Sequence, residues 1–224
     1  MPTESSPKGK RTTDELDVRG RTIATAIAFE AHEKLTELSV GDELELVTEK
    51  FPAIVPDVEA WCRATGHDLV DVQTEAETFR LRLRKSAPRP NTRRVAVVVS
   101  SDGLEELLSP LGFALAASLD GARVAVYLQG PAVRVLAPGF RPRLSGLARP
   151  FSRFARAGLE KTGHVAPSEK LRQLQQLGGA LYACGPSLEH FKVDPHGIAF
   201  DNVIVCEYLT FMEVMQQADV QLYP

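Results

Sequence analysis

Arg94 to Val99, RVAVVV, is an unbroken run of mostly β-branched residues, the pattern of a strand buried on both faces. Glu43 to Thr48, ELELVT, alternates polar and apolar instead, as a strand with one wet face does. These two periodicities divide the chain. Before residue 85 the pattern gives a short strand at 15–18, a helix over 22–38 and the alternating strand. A second helix follows over 56–65, then two alternating strands at 67–73 and 79–83. The helix over 22–38 shows a partly apolar stripe through Ile23, Ile27, Ala31, Lys34 and Leu35. That order, β-α-β-α-β-β, predicts a two-layer sandwich with helices on one face of a four-stranded sheet. After residue 93 the strand at 94–99, a helix to Leu119 with a break or kink at Pro110, and an apolar strand over 121–128 predict a parallel crossover. Helix 168–177 with Ser168 as N-cap, strand 180–183, helix 186–191, strand 203–205, helix 207–217 and strand 219–223 complete a three-layer, mostly parallel α/β unit.

The segment between the two units, 86–92, is proline-rich and breaks both periodicities, so it reads as an extended, semi-stiff linker. Residues 1–13 are polar and read as a disordered tail without a signal peptide. The units are therefore expected at 14–85 and 93–224. Within the second, about 138–167 is an insertion carrying Arg141, Arg143, Arg149, Arg153, Arg156 and Lys161 with little acid. From Leu147 it predicts a basic amphipathic helix, Leu147, Phe151, Phe154 and Gly158 on one face and Arg149, Arg153 and Arg156 on the other. Such a face covers a domain or subunit interface, or lies on an anionic membrane.

Composition narrows the function classes. The 224 residues carry a net charge of -3 with a pI near 6.0, which argues against a nucleic-acid partner. Three cysteines without CxxC or Cys/His spacing indicate neither a disulfide framework nor a metal site, and no cofactor motif is present. A reducing cytoplasm fits this usage. The turn Ser100-Ser101-Asp102-Gly103 reads as a plain strand-to-helix connection before it reads as an anion cradle, being neither a Walker loop nor GxGxxG.

One position invites chemistry. In GGALYACGPSLE, Cys184 ends a buried strand and Gly185-Pro186-Ser187 opens a helix, so the sulfur is expected to face unpaired N–H groups that favour a thiolate. The alternative is an inert packed cysteine. Cys206 repeats the geometry at the end of the next strand; it reads first as packing and second as a further thiol that shares the pocket if the two strands are neighbours. Cys62, mid-helix beside Trp61, reads as core. His67 reads as a surface or capping residue, and neither His190 nor His196 is singled out as a base.

Leu16-Asp17-Val18-Arg19-Gly20, the spacing to VGDELELVT, and AWCRATGHDLVDV at 60–72 resemble the TusA-like (SirA-like) sulfur-carrier domain. That family carries a Cys-Pro-x-Pro motif at the start of its first helix. Aligned on LDVRG, the motif positions here are Ile23, Ala24, Thr25 and Ala26, so the carrier thiol is missing and a docking or structural role is expected. RVAVVVSSDGLEELL, GARVAVYLQG, GGALYACGPSLEHF and the ending ADVQLYP in turn resemble DsrE-like proteins of the long-insertion subfamily. This second resemblance implies a persulfide-accepting cysteine at Cys184, sulfur-carrier or rhodanese-like partners, and a trimer or hexamer in the cytoplasm. The residues after Cys184 are Gly-Pro-Ser-Leu rather than the polar, methionine-containing segment usual there. The alternative function is a non-catalytic scaffold that binds sulfur carriers.

Overall fold

The structure is a computed structural model that describes residues 13–223. The expected tail lies, apart from Thr13, outside the described residues.

In the N-terminal half, β1 (Thr13–Asp17), α1 (Ala24–Glu37), β2 (Glu43–Glu49), α2 (Ile54–Thr65), β3 (Asp68–Thr74) and β4 (Thr78–Arg84) follow the expected order. The sheet order is β1-β2-β4-β3, with β1 parallel to β2 and the other pairs antiparallel. Alternation decides its faces. Leu44, Leu46, Leu81 and Leu83 point to the helices and are fully buried among Ile27, Ala31, Leu35, Val58 and Trp61. The intervening residues form a charged outer face, where Arg80 reaches Glu45 at 3.2 Å, Glu15 at 3.3 Å and Glu75 at 3.0 Å. Cross-strand opposite charges of this kind hold register on a wet face.

In the C-terminal half come β5 (Arg94–Val99), α3 (Leu104–Leu119), β6 (Arg123–Leu128), α4 (Ser152–Lys161), α5 (Pro167–Gln176), β7 (Ala180–Cys184), α6 (Gly185–His190), β8 (Ile204–Cys206), α7 (Tyr208–Gln216) and β9 (Val220–Leu222). The five strands are all parallel in the order β8-β7-β6-β5-β9. One face, through Val97, Val126, Leu181 and their neighbours, packs on α3 and α5. The other, through Val98, Tyr127 and Cys184, is covered by α7.

Local chemistry corrects several expectations. No break occurs at Pro110, which is buried inside a continuous α3. The fifth helix starts at Pro167, whose fixed φ suits the first helical position, and Ala166 rather than Ser168 holds the cap position. The insertion is not one helix from Leu147. Gly130–Leu136 and Gly146–Phe151 are 3-10 turns, and α4 begins only at Ser152, whose hydroxyl accepts from Leu144 N at 2.9 Å and donates to Arg149 O at 2.5 Å. Its aromatic face covers nothing among the described residues: Phe151 and Phe154 are 62 % and 75 % exposed.

Nor is the linker a spacer. Ser86 N donates to His67 Nδ1 at 3.2 Å and Arg89 N to Thr65 O at 3.0 Å, so this segment is laid along the N-terminal half. The two halves also share a core. Leu115 and Leu119 of α3 pack among the α1 and α2 side chains, and the Trp61 indole N–H donates to Leu119 O at 3.2 Å. A second clasp joins Thr22 to the end of α4, its N–H and hydroxyl both donating to Thr162 O, at 3.2 and 2.6 Å.

Candidate functional site

The register of β7 and β8 pairs Tyr182 with Ile204, Ala183 with Val205 and Cys184 with Cys206. Side chains of directly paired parallel residues project from the same face, with backbones about 4.8 Å apart. The two cysteines that end successive strands are therefore side by side, and both are reduced. They sit at the carboxyl ends of parallel strands, where ligands of open α/β sheets gather.

Cys184 is the N-cap residue of α6, in extended conformation at φ -69°, and is only 2 % exposed. Gly185 next to it lies alongside Val205 of the neighbouring strand, where an added Cβ would make only an ordinary contact with Val205 Cγ1, at 3.5 Å. Ser187 anchors the same turn to the 3-10 turn after β6 by accepting from Gly130 N at 2.9 Å. Cys206 is partly exposed; burial first, and the adjoining Cys184 second, push its thiol up from the ordinary value.

The roof over this pair was not read from sequence. Tyr127, on β6 and register partner of Tyr182, stacks on Phe211 of α7 at 4.7 Å and meets Tyr208 edge-on at 6.3 Å; Tyr182 meets Phe211 at 5.2 Å. Met215 closes the cluster, its sulfur accepting from the Tyr223 hydroxyl at 2.9 Å. The Tyr127 hydroxyl is buried beside the Cys184 sulfur without a well-formed hydrogen bond among the described residues. Burial, then the two thiols, hold its proton more tightly than usual. The signal available was period two in VAVYL, which puts Tyr127 on the Ala125 face; nothing local says that Cys184 shares it.

Other candidates lie elsewhere. Cys62 is 2 % exposed in the N-terminal core, where burial pushes its thiol up to about 12, which leaves it unreactive near neutrality. His190 is exposed on the last turn of α6 against Phe191, and His196 is exposed in the 3-10 turn Pro195–Gly197. His67 is half-buried and holds the linker rather than capping a helix. Among the described residues no group of His, Cys, Asp and Glu is arranged to hold a metal ion, and no helix is long and apolar enough to cross a membrane.

The positions where a carrier motif would stand, Ile23 to Ala26, open α1. Ile23 is its N-cap, Ala26 is buried, and Ala24 and Thr25 border a cavity of about 340 Å³ that Phe113 and Ala116 of α3 line from the other half. Gly163, with φ of 81°, lies against Arg21 so closely that a Cβ would meet Arg21 Cα at 2.8 Å. The C-terminal half thus docks where the motif would have worked.

The DsrE/DsrF-like family model matches residues 93–224. The sulfurtransferase TusA model matches 27–85, beginning one residue past the missing motif. No curated protein matches the chain. Among solved structures, the crystal structure of the ychN protein from E. coli is similar with 16% identity and a TM-score of 0.44, over 59% of this chain and 98% of that one.

Proposed function

Given that the chain belongs to the DsrE/DsrF-like family and fuses that domain, 93–224, to a TusA-like one, both being sulfur-relay domain types, we propose that it traffics sulfur in the cytoplasm as a persulfide on Cys184. The observation that carries this reading is the pairing of Cys184 with Cys206 at the strand ends. The Cys184 thiolate attacks the outer sulfur of a donor persulfide. A sulfur–sulfur bond forms on Cys184 as the donor's bond breaks, and the donor leaves as a thiolate that takes up a proton. An acceptor thiolate, from Cys206 or a partner protein, then attacks the same outer sulfur and Cys184 leaves. Neither step oxidises or reduces the system as a whole. Attack by Cys206 on the inner sulfur instead releases hydrosulfide and leaves a Cys184–Cys206 disulfide.

Cys184 is covered, so donor and acceptor reach it by displacing α7, whose outer residues Tyr208, Leu209 and Met212 are exposed. Rhodanese-like or sulfur-carrier proteins are the partners this surface serves, with Ile204 and Val205 on the open edge of β8 available to further copies in a trimer or hexamer. The TusA-like domain acts as a docking module, lacking a thiol at Ile23 to Ala26. A second reading, a scaffold that only binds sulfur carriers, draws on the 2 % exposure of Cys184.

Intact-protein mass spectrometry after brief exposure to polysulfide separates the two. Sulfur-atom additions are expected on the wild type and on Cys62→Ser, reduced in number on Cys206→Ser, and absent from Cys184→Ser. Labelling that is absent throughout, or indifferent to Cys184→Ser, leaves the scaffold.

A further inference from the structure

Arginine keeps its charge at any physiological pH, so guanidinium groups gathered without carboxylates repel one another until an anion comes between them. The insertion supplies four, and Arg134 just before it a fifth. A cleft of about 790 Å³ opens beside the turn Ser101 to Gly103, and Arg134, Arg141, Arg143, Arg149 and Arg156 all line it. The carboxylate in that lining, Asp102, is already paired with Arg134 at 3.1 Å. The nearby acids of α3 are engaged as well: Glu105 accepts from Ser145 N at 3.0 Å and Glu106 from the Ser101 hydroxyl. Among the described residues Arg141, Arg143, Arg149 and Arg156 form no ion pair with a carboxylate; Arg156 instead donates to Pro142 O at 2.8 Å. The turn itself is self-satisfied, Gly103 N donating to Ser101 Oγ at 3.1 Å, so the positive charge here comes from side chains rather than from a backbone cradle.

A second cavity of about 310 Å³ adjoins the first. Phe140, Arg141 and Arg156 line both. Its remaining wall is largely apolar, with Leu104, Leu108, Leu159 and Val165, and Glu160 also reaches it. It also holds His164, whose Nδ1 is buried with no hydrogen-bond partner among the described residues. Burial and the nearby Lys170 keep that imidazole neutral more readily than usual. A neutral ring with an orphaned nitrogen suits a polar edge on an otherwise apolar group.

We propose that the joined cavities bind an organic phosphate, its polyanionic end on Arg141, Arg143, Arg149 and Arg156 and its apolar or aromatic group in the pocket beside His164. Both volumes fall within the roughly 300–1,000 Å³ of small-molecule sites. An inorganic anion uses only the arginine cleft, and an acidic peptide leaves the apolar pocket empty; a ligand carrying both groups on one skeleton fills both. Guanidinium forks bind phosphate oxygens two at a time, which fixes the head while the pocket selects the body. No cysteine lines either cavity, so the inference stands apart from the sulfur chemistry.

Calorimetric titration of the full-length chain at about 0.1 M salt, where exposed charges are partly screened, tests this with inorganic tripolyphosphate, adenosine triphosphate and geranyl diphosphate as probes. All three are expected to bind, with at least one organic probe tighter than tripolyphosphate by about tenfold or more. The double variant Arg143→Ala/Arg149→Ala, which removes side chains that make no hydrogen bond among the described residues, weakens every probe by about tenfold or more. Ala166→Trp, which fills the apolar pocket from its rim, abolishes only the advantage of the organic probe; thermal melts establish that both variants fold. No binding by any probe, undiminished binding to the double variant, or no gain from an organic group overturns the proposal. So does tighter binding of hexaglutamate than of any phosphate, which identifies an acidic-peptide surface instead.

Discussion

His67 accepts the Ser86 backbone N–H on Nδ1 at 3.2 Å and meets the Trp61 ring at 5.8 Å, and an imidazole that accepts there has no proton on that nitrogen. Burial foremost, then the positive charges of His32 and Lys85 against the opposing pull of Asp68, hold its pKa below the ordinary 6.5. The unfolded chain therefore binds this proton more readily than the folded one. Stability from this group is complete above pH 6.5 and is lost as pH falls through the folded pKa. His32 and His164 are depressed in the same direction by burial and add to the slope. Urea midpoints between about pH 7 and about pH 5 are expected to decline, and less steeply in His67→Gln, because one of the contributing groups is gone. None of this was visible around residue 67, since its partner lies 19 positions away. For the cysteines the reverse holds. Strand end followed by helix start was written beside both Cys184 and Cys206; what local sequence omits is that their strands are neighbours in register.

At the scale of elements, legibility followed burial on one face. β2 and β4 alternate because one side is core and the other charged, and their limits were readable to within a residue or so. β8 is three residues long at an open edge and lies one residue later than the expected 203–205, so that it includes Cys206. The insertion misled because its arginines and aromatics have helical spacing from Leu147, while Pro150 and the Ser152 hydroxyl hold a 3-10 turn there until α4 can start. Helix α2 stops as sequence suggests, at Gly66. Its φ of 90° is left-handed and its N–H closes the last turn onto Cys62 O at 2.9 Å. A Cβ there would also meet Arg89 Cβ at 3.3 Å, in the segment that returns past the helix. Gly66→Ala should cost about 1–2 kcal/mol in chemical denaturation, since a left-handed residue other than glycine carries that penalty. A cost near zero would mean that this turn relaxes freely.

The whole molecule is where sequence reading stopped short. Leu115 and Leu119 look like ordinary positions on the apolar stripe of α3, and only the assembled structure spends them on the other half. The proline-rich linker encouraged a picture of two bodies held apart, yet its Ser86 and Arg89 N–H groups are tied to the N-terminal half and the halves are clasped at Thr162 and at Leu119 O. The clasp at Thr22 spans 140 residues of sequence, so it does not depend on the short connection through 86–92. Consider a specific-protease site placed between the exposed Ala87 and Pro88. After cutting, the two pieces should co-elute in size exclusion under native conditions, and the emission of the lone tryptophan, Trp61, should stay as in the intact chain; separation of the pieces would show that the shared core is too weak to hold. If they stay together, the peptide link contributes little to cohesion and sets stoichiometry instead: one TusA-like half is made for every DsrE-like half, at the same moment and in the same place.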